Sequence, residues 1–183
     1  MRTIDAMALI LKKEGIEFLS AFPTTAVIEA VAESGVRPVI CRQERVGVHI
    51  ADGFARVTNG RKASVFAMQY GPGAENAYPG VATAYSDSTP MLLLPLGHPL
   101  ERDRVFPLFS SPRAYESLTK SVEQIVVPER TVDAMRRAFA AMKIGRPGPV
   151  LVELPLYVAG QEINPALVDA YRPVAATRAQ ADP

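Results

Sequence analysis

The sequence of 183 residues is poor in residues that many catalytic and structural centres require. It contains one cysteine, two histidines and no tryptophan. One cysteine is too few for a disulfide framework, and this set of soft ligands is too small for a zinc cluster. The nucleophile turn of α/β-hydrolases, G-x-S-x-G, is also missing. We therefore expect neither a hydrolase triad nor metal ligands on this chain.

An excess of charge of either sign is also lacking. The 20 Lys and Arg residues nearly balance the 19 Asp and Glu residues, and both signs are spread along the chain. Nucleic acid and anionic membrane surfaces are bound by concentrated basic patches, so neither is an expected partner. The first residues show no basic-then-apolar signal region, and no apolar run has the length of a membrane span. A cytoplasmic location is expected.

The sequence does contain a regular alternation of short apolar runs and amphipathic stretches, which predict strands and helices respectively. The predicted helices cover residues 3–14, 25–33, 43–59, 73–86 and 131–145, with a short helix or turn at 113–118. The predicted strands cover residues 17–21, 38–41, 64–68, 91–96, 121–127 and 150–154. Connections of this length require parallel pairing. The expected α/β fold has an open, mostly parallel sheet of about six strands with helices on both faces.

This pattern ends near residue 158. Residues 159–183 lose apolar periodicity and become rich in Ala, Pro, Gln and Asp. We therefore expect one domain over residues 1–158, followed by a tail or linker over residues 159–183.

Glu44 stands in the first turn of a predicted helix that follows a short apolar strand. Ligand sites of open α/β sheets lie at such strand-to-helix turns, so its carboxyl group is a candidate for proton transfer. The helix dipole also favours acidic residues in a first turn, by roughly 0.3–1 kcal/mol each. Taken alone, Glu44 is therefore either a catalytic group or a residue that starts a helix.

A second strand ends in a glycine-rich turn, where residues 69–76 read Q-Y-G-P-G-A-E-N. Its spacing is one residue away from the dinucleotide fingerprint G-x-G-x-x-G. That interpretation is disfavoured because Asn76 replaces the third small residue, Pro72 lacks an N–H group, and the turn follows the third predicted strand. A Gly-Pro-Gly stretch is also a common simple turn.

Several motifs in order carry a more specific signal: Glu44, A-D-G-F-A-R at 51–56, the G-P-G-x-x-N turn, and A-T-A-Y-S-D-S-T-P at 82–90. Together they resemble the pyrimidine-binding domain of thiamine diphosphate enzymes of the acetolactate synthase and 2-oxo-acid decarboxylase superfamily, over about residues 1–157. The resemblance implies that Glu44 shares a proton with the cofactor's aminopyrimidine and so activates it. It implies cofactor binding by Pro23, Glu44, Gln69, Gly71, Pro72, Gly73, Asn76 and His98.

The same resemblance implies substrate contacts by Thr24, Thr25, His98, Ser110 and Ser111. Each has a simpler alternative. A threonine here also caps the next helix, and His98 is also explained as an ordinary loop histidine. Serines at 110 and 111 make acid–base chemistry there less favoured.

The resembled family binds the diphosphate and its magnesium ion through a G-D-G motif in a separate domain. The only Asp-Gly pair in this sequence is Asp52-Gly53, inside the predicted Glu44 helix. The resemblance therefore implies half of an active site, completed by a diphosphate-binding subunit or domain that holds Mg²⁺, as in split enzymes such as sulfopyruvate decarboxylase. The expected function is a decarboxylase or carboligase of 2-oxo acids. The alternatives are a non-catalytic scaffold or regulatory homologue and a nucleotide-binding oxidoreductase domain.

Small and apolar residues on two predicted helices indicate assembly. We expect them to form flat faces that are buried against another chain, giving a homodimer alone and a heterotetramer with the partner. These residues are Gly47, Ala51 and Ala55 on one helix, and Ala77, Gly80, Val81, Ala84 and Tyr85 on the other.

Overall fold

The structure, a computed structural model that describes residues 1–23 and 26–177, contains the expected alternation of helices and strands. The helices are α1 (Thr3–Lys13), α2 (Val27–Ser34), α3 (Glu44–Val57), α4 (Pro72–Ser86), α5 (Ser111–Tyr115), α6 (Thr131–Lys143), α7 (Leu156–Ala159) and α8 (Pro165–Asp169). The strands are β1 (Phe18–Ala21), β2 (Arg37–Ile40), β3 (Ser64–Met68), β4 (Met91–Gly97), β5 (Val122–Gln124) and β6 (Pro149–Pro155). Short 3-10 helices cover Leu100–Arg102, Glu116–Leu118 and Pro128–Arg130.

The six strands form one sheet in the order β2-β1-β3-β4-β6-β5. Each neighbouring pair is parallel. The predicted α/β class and the predicted number of strands are therefore confirmed. Within the described residues, no helix is long and apolar enough to cross a membrane.

Both faces of the sheet are covered, because alternate residues of the central strands enter two separate apolar clusters. On β3, Val65 and Ala67 join the cluster formed with α1, α2 and α6, whereas Phe66 and Met68 join the cluster formed with α3 and α4. All five residues of β3 and all seven of β4 are buried. This explains why these strands are continuous apolar runs in the sequence.

Helices α3 and α4 pack directly on each other. A Cβ atom at Gly80 would lie 2.3 Å from Val48 Cγ1, so the contact depends on glycine at this position. A Cβ atom at Gly47 would lie 2.4 Å from Phe66 Cε2, which brings α3 equally close to β3.

The expectation that small residues of these helices form an intermolecular face is wrong for most of them. Gly47, Ala51, Ala55, Ala77, Gly80, Val81 and Ala84 are buried within the chain itself. Small residues permit close approach of helices in either setting, and here the partner of each helix is the other helix and the sheet. Only Tyr85 of the set is exposed.

Part of the segment expected to be a tail or linker packs on the body of the protein. Ile163, Val168 and Tyr171 are buried against the α1 side of the core. The Tyr171 hydroxyl donates to Glu14 Oε1 at 2.5 Å, and the Val174 amide donates to the same oxygen at 2.9 Å. These apolar residues are too widely spaced to give a periodic signal. The domain boundary at residue 158 stays a prediction.

The largest difference in element bounds concerns β5, which is shorter than the predicted strand at 121–127. It is an edge strand that pairs only with β6, and Val126 and Val127 beyond its end are exposed. Valines favour extended backbone but do not by themselves supply a pairing partner. The apolar pattern therefore overestimated the length of this strand.

We predict that Gly80→Ala is less stable than Gly53→Ala by about 1–3 kcal/mol, the usual cost of overpacking. Both substitutions are in helices and gain similar helix propensity, but a Cβ atom at Gly53 would meet nothing within 4 Å. Chemical denaturation would measure the difference. Adding Val48→Ala to Gly80→Ala should recover part of the loss, and equal stability of the two single variants would contradict the close contact between α3 and α4.

Candidate active site at the carboxyl edge of the sheet

The candidate site residues lie where parallel strands end at one edge of the sheet. Glu44 is the first residue of α3, shortly after β2, and Gly71 precedes α4 after β3. His98 directly follows β4. Because parallel strands present their carboxyl ends on the same side, this topology gathers residues that are distant in sequence.

The Glu44 carboxyl group is buried, with 7% of the residue exposed. Its Oε2 atom accepts a hydrogen bond from Asn76 Nδ2 at 2.9 Å. This contact joins the first residue of α3 to the fifth residue of α4. The structure therefore brings together two of the residues that the sequence assigned to one pocket.

Gly73 leaves space beside this carboxyl group. A Cβ atom there would lie 3.1 Å from Glu44 Oε1 and 3.0 Å from Gln69 Cβ. Any larger residue at 73 would therefore fill the region next to Oε1. The arrangement is a buried carboxyl group in close contact with a residue that must stay without a side chain.

Gly71 supplies the turn that leads into α4. Its φ of +58° lies in the left-handed region, which a side chain makes costly. Pro72 then occupies the first position of α4, where its missing N–H group is not needed. Backbone geometry at the start of α4 therefore explains Gly71 and Pro72 without reference to a ligand.

His98 lies on the other side of Gly71. Its Nε2 atom is 3.0 Å from the Phe109 carbonyl oxygen, and its ring is 4.7 Å from the Tyr70 ring, measured between centroids. These contacts fix the imidazole between the glycine turn and the chain segment before α5. His98 is therefore oriented by contacts with both neighbouring segments.

A cavity of about 440 Å³ lies next to His98, under residues 103–113. Ser110 lines it, whereas Ser111 is the buried first residue of α5 and is not among the lining residues. The two predicted serine contacts are therefore not equivalent. The lining residues are His98, Asp103, Arg104, Val105, Phe106, Leu108, Phe109, Ser110, Pro112, Arg113, Gln124 and Glu153.

Glu153, on β6, is a second buried carboxyl group in this region and was not predicted from the sequence. Only 4% of the residue is exposed, and Gln124 Nε2 donates to its Oε1 atom at 2.8 Å. Burial raises the pKa of Glu153 to about 7, with a smaller contribution from Asp103, while the hydrogen bond from Gln124 opposes the rise. The sequence did contain a signal, because Glu153 is the only charged residue in the apolar run P-V-L-V-E-L-P.

Tyr115 is another residue that the sequence reasoning missed. It is fully buried, and its hydroxyl donates to the Ala74 carbonyl oxygen at 2.6 Å. Desolvation raises the pKa of this phenol, so it stays a hydrogen-bond donor. The contact ties α5 to the first turn of α4 and so supports the turn that carries Gly73.

The motif A-D-G-F-A-R serves the packing of α3 and α4. Arg56 Nε donates to Asp52 Oδ2 at 2.8 Å, and Arg56 Nη1 donates to Asp87 Oδ2 at 2.7 Å. The arginine thereby links α3 to the residue that follows α4. Asp52 and Gly53 are helical residues of α3 in this arrangement.

The remaining predicted site residues, Pro23, Thr24 and Thr25, lie between β1 and α2 in the sequence. Pro23 follows β1 and lines a separate depression with Arg2, Leu156 and Gly160. Thr24 and Thr25 lie outside the described residues, so their predicted substrate contacts stay predictions. Within the described residues, no group of three or more His, Cys, Asp or Glu side chains could hold a metal ion.

Comparison with known protein families identifies the family of this chain. The family described as "Thiamine pyrophosphate enzyme, N-terminal TPP binding domain" matches residues 1–125. The chain belongs to this family. Thiamine pyrophosphate is the same compound as thiamine diphosphate, so the resemblance found in the sequence motifs is confirmed.

Relatives in the same superfamily are similar over most of this chain. It is 34% identical to the "Probable acetolactate synthase large subunit" of Methanocaldococcus jannaschii, over 94% of this chain and 31% of that protein. It is 33% identical to the "Acetolactate synthase isozyme 3 large subunit" of Escherichia coli K12, over 84% of this chain and 27% of the relative. The "Glyoxylate carboligase" of Escherichia coli O157:H7 is 30% identical, over 95% of this chain and 30% of that enzyme. The chain thus spans less than a third of each of these proteins.

The family's cofactor fits the geometry around Glu44. A planar heterocycle needs a polar group at its edge and little steric hindrance at its face; Glu44 offers a buried carboxyl group, and Gly73 beside it carries no side chain. Glu44 Oε2 is held by Asn76, which leaves Oε1 on the side of Gly73. Residues of this chain are therefore suited to hold the pyrimidine part of thiamine diphosphate.

The raised pKa of Glu153 predicts a pH dependence of stability. The carboxyl group of Glu153 binds its proton more tightly in the folded state than in the unfolded state. Protonation of Glu153 therefore stabilises the folded state fully below about pH 4.5, and this stabilisation is lost as the pH rises through 7. A shift of that size corresponds to roughly 3 kcal/mol. Glu153→Gln should therefore gain stability relative to the wild type between about pH 5 and about pH 8, measured by urea denaturation. A constant difference between the two proteins would contradict the shift.

Proposed function

We propose that this chain is the pyrimidine-binding part of a thiamine diphosphate-dependent 2-oxo-acid decarboxylase or carboligase. The observation that carries the proposal is the buried Glu44 carboxyl group beside Gly73. A carboxyl group in that position can exchange a proton with a ring nitrogen, which is the role that the family resemblance gives it. The acetolactate synthase and glyoxylate carboligase names of its relatives support the choice of 2-oxo acids.

In this proposal, the residues of the chain orient the cofactor and move one proton. Asn76 fixes Glu44 Oε2, so that the proton is exchanged at Oε1. Gly71 and Gly73 let the backbone approach the ring face, and Gln69 and Pro72 complete the contacts beside Glu44. Pro23, which lines a separate depression, stays a predicted cofactor contact. When bound, thiamine diphosphate supplies the carbon nucleophile that reacts with the 2-oxo acid. His98, Thr24, Thr25, Ser110 and Ser111 are the proposed substrate contacts.

The proposal includes a partner that completes the site. A diphosphate-binding subunit or domain with a G-D-G motif would hold the diphosphate and Mg²⁺. Two observations support this division. The chain spans only 31% of its acetolactate synthase relative from Methanocaldococcus jannaschii, and Asp52 of its only Asp-Gly pair is already bound by Arg56.

The surface beside Glu44 is suited to contact such a partner. Ile40, at the end of β2, is 51% exposed, and Val46, in the first turn of α3, is 48% exposed. Burying these side chains would remove apolar surface from water. We propose a homodimer for the chain alone and a heterotetramer with its partner. The expected cytoplasmic location stays a prediction.

We predict that the chain alone neither binds thiamine diphosphate tightly nor turns over 2-oxo acids, because the proposed diphosphate and metal contacts lie on the partner. Calorimetric titration with the cofactor and Mg²⁺ would test binding, and carbon dioxide release would test turnover. Adding a chain that carries G-D-G and a downstream asparagine should produce both. Robust decarboxylation by the purified chain alone would overturn the partner requirement.

Glu44→Gln tests the proposed proton exchange in the reconstituted enzyme. The amide keeps the size of the side chain and can still accept from Asn76, but it cannot exchange a proton with the ring. We expect the turnover rate at saturating cofactor to fall by about 10²–10⁴, the range for a positioned acid or base.

Glu75→Gln is a matched control. Glu75 also lies in the first turn of a helix, α4, but its side chain is exposed. We expect its turnover to match that of the wild type. If Glu44→Gln retains activity within a factor of a few, Glu44 only starts its helix, and an active assembly would owe its chemistry to other residues. If no assembly with a partner shows activity, the scaffold alternative is favoured instead.

A further inference from the structure

The cavity beneath residues 103–113 contains a buried acid that the proposed cofactor chemistry does not use. Glu153 lies in its wall and is held by Gln124 from the neighbouring strand β5. The Gln124 amide also faces outward, because its Oε1 atom lies 3.5 Å from Arg104 Nη2. A chain of polar groups thus connects the buried carboxyl group to a guanidinium at the cavity wall.

Charged groups line this cavity unevenly. Arg104 contributes one cation from the segment before α5, and Arg113 contributes another from α5 itself, while Asp103 contributes a carboxylate besides Glu153. When Glu153 is protonated, the two arginines outnumber the single carboxylate of Asp103. When Glu153 is ionised, the charges balance. The cavity therefore favours an anion more strongly when Glu153 is protonated.

We propose that this cavity binds a small organic carboxylate, with Arg104 and Arg113 facing the anion and the protonated Glu153 donating a hydrogen bond to it. Gln124 donates to Glu153 Oε1, which leaves Oε2 to carry the donated proton. Ser110 and His98 supply further polar groups at the wall nearest Gly71. A volume of about 440 Å³ accommodates a ligand of this size.

Binding is then coupled to protonation of Glu153. An anion beside Glu153 stabilises its neutral form, and by linkage the neutral form binds the anion more tightly. The other titratable groups near Glu153 are His98 after β4, Asp103 and Arg104, Arg113 on α5, and Tyr157 on α7. Of these, His98 is the imidazole at the cavity wall, so a variant must separate its contribution from that of Glu153.

The inference deepens the proposed function, because a 2-oxo acid is a small organic carboxylate, but binding here requires neither thiamine diphosphate nor a partner. The probe is oxamate, an unreactive analogue of a 2-oxo acid, titrated into the full chain without cofactor. If only the protonated state binds, the dissociation constant should rise about tenfold between about pH 6 and about pH 8, following the protonated fraction of a group that titrates near 7.

Glu153→Gln separates this coupling from any contribution of His98. The amide stays neutral and can donate a hydrogen bond, so the variant should bind oxamate at about pH 8 as tightly as at about pH 6. Glu123→Gln is the matched control. Glu123 lies on β5 and pairs with Arg137, outside the cavity, so this variant should keep the tenfold change. Arg113→Gln should weaken binding at both pH values.

Two results would overturn the proposal: no saturable oxamate binding by the wild type at millimolar concentration, or the same pH dependence in Glu153→Gln as in the wild type. Urea denaturation of each variant establishes that it is folded. Failure of the proposed function is distinguishable. If oxamate binds but no reconstituted assembly shows turnover, only the proposed enzyme function is contradicted. If an assembly shows turnover but oxamate does not bind in this cavity, only the proposed carboxylate site is contradicted.

Discussion

The candidate active site depends on the close approach of α3 and α4. Gly80 allows Val48 to pack against the backbone of α4, and Gly47 allows α3 to lie on Phe66 of the sheet. At this distance, Asn76 reaches the Glu44 carboxyl group from the neighbouring helix. A wider separation of the helices would leave Glu44 without this partner and would change the space beside Gly73. The Arg56 bridge between Asp52 and Asp87 holds the opposite ends of the same two helices.

The parallel sheet places two buried carboxyl groups at one edge in different surroundings. Glu44 lies at a helix start, where it accepts a hydrogen bond from Asn76 and borders Gly73. Glu153 lies within a strand beneath a covering chain segment, and burial raises its pKa to about 7. Environment, more than residue type, sets what a carboxyl group can do. One fold can therefore hold two carboxyl groups with different properties at the same edge of its sheet.

The sequence motifs that indicated the thiamine pyrophosphate enzyme family contain residues with two different structural roles. Some motif residues shape the site directly, as Gly73 does beside Glu44. Others serve the fold, as Arg56 does by joining two helices. The small residues of α3 and α4 belong to the second kind, since they are buried within this chain. A surface between chains would therefore involve other residues. Among the exposed large apolar residues, Ile40 and Val46 lie closest in sequence to Glu44.

The sequence alone determined the order of strands and helices, because apolar periodicity reflects which faces are buried, and the ordered motifs indicated the family and the position of Glu44. It did not determine the pairing of Glu44 with Asn76 or the burial of Glu153, because both depend on contacts between residues far apart in the chain. Glu153 was a visible anomaly in an apolar strand, but its hydrogen bond from Gln124 required the pairing of β5 with β6. The packing of residues 163–174 on α1 was equally hidden, because its few apolar residues acquire a common face only when the chain folds back on the core.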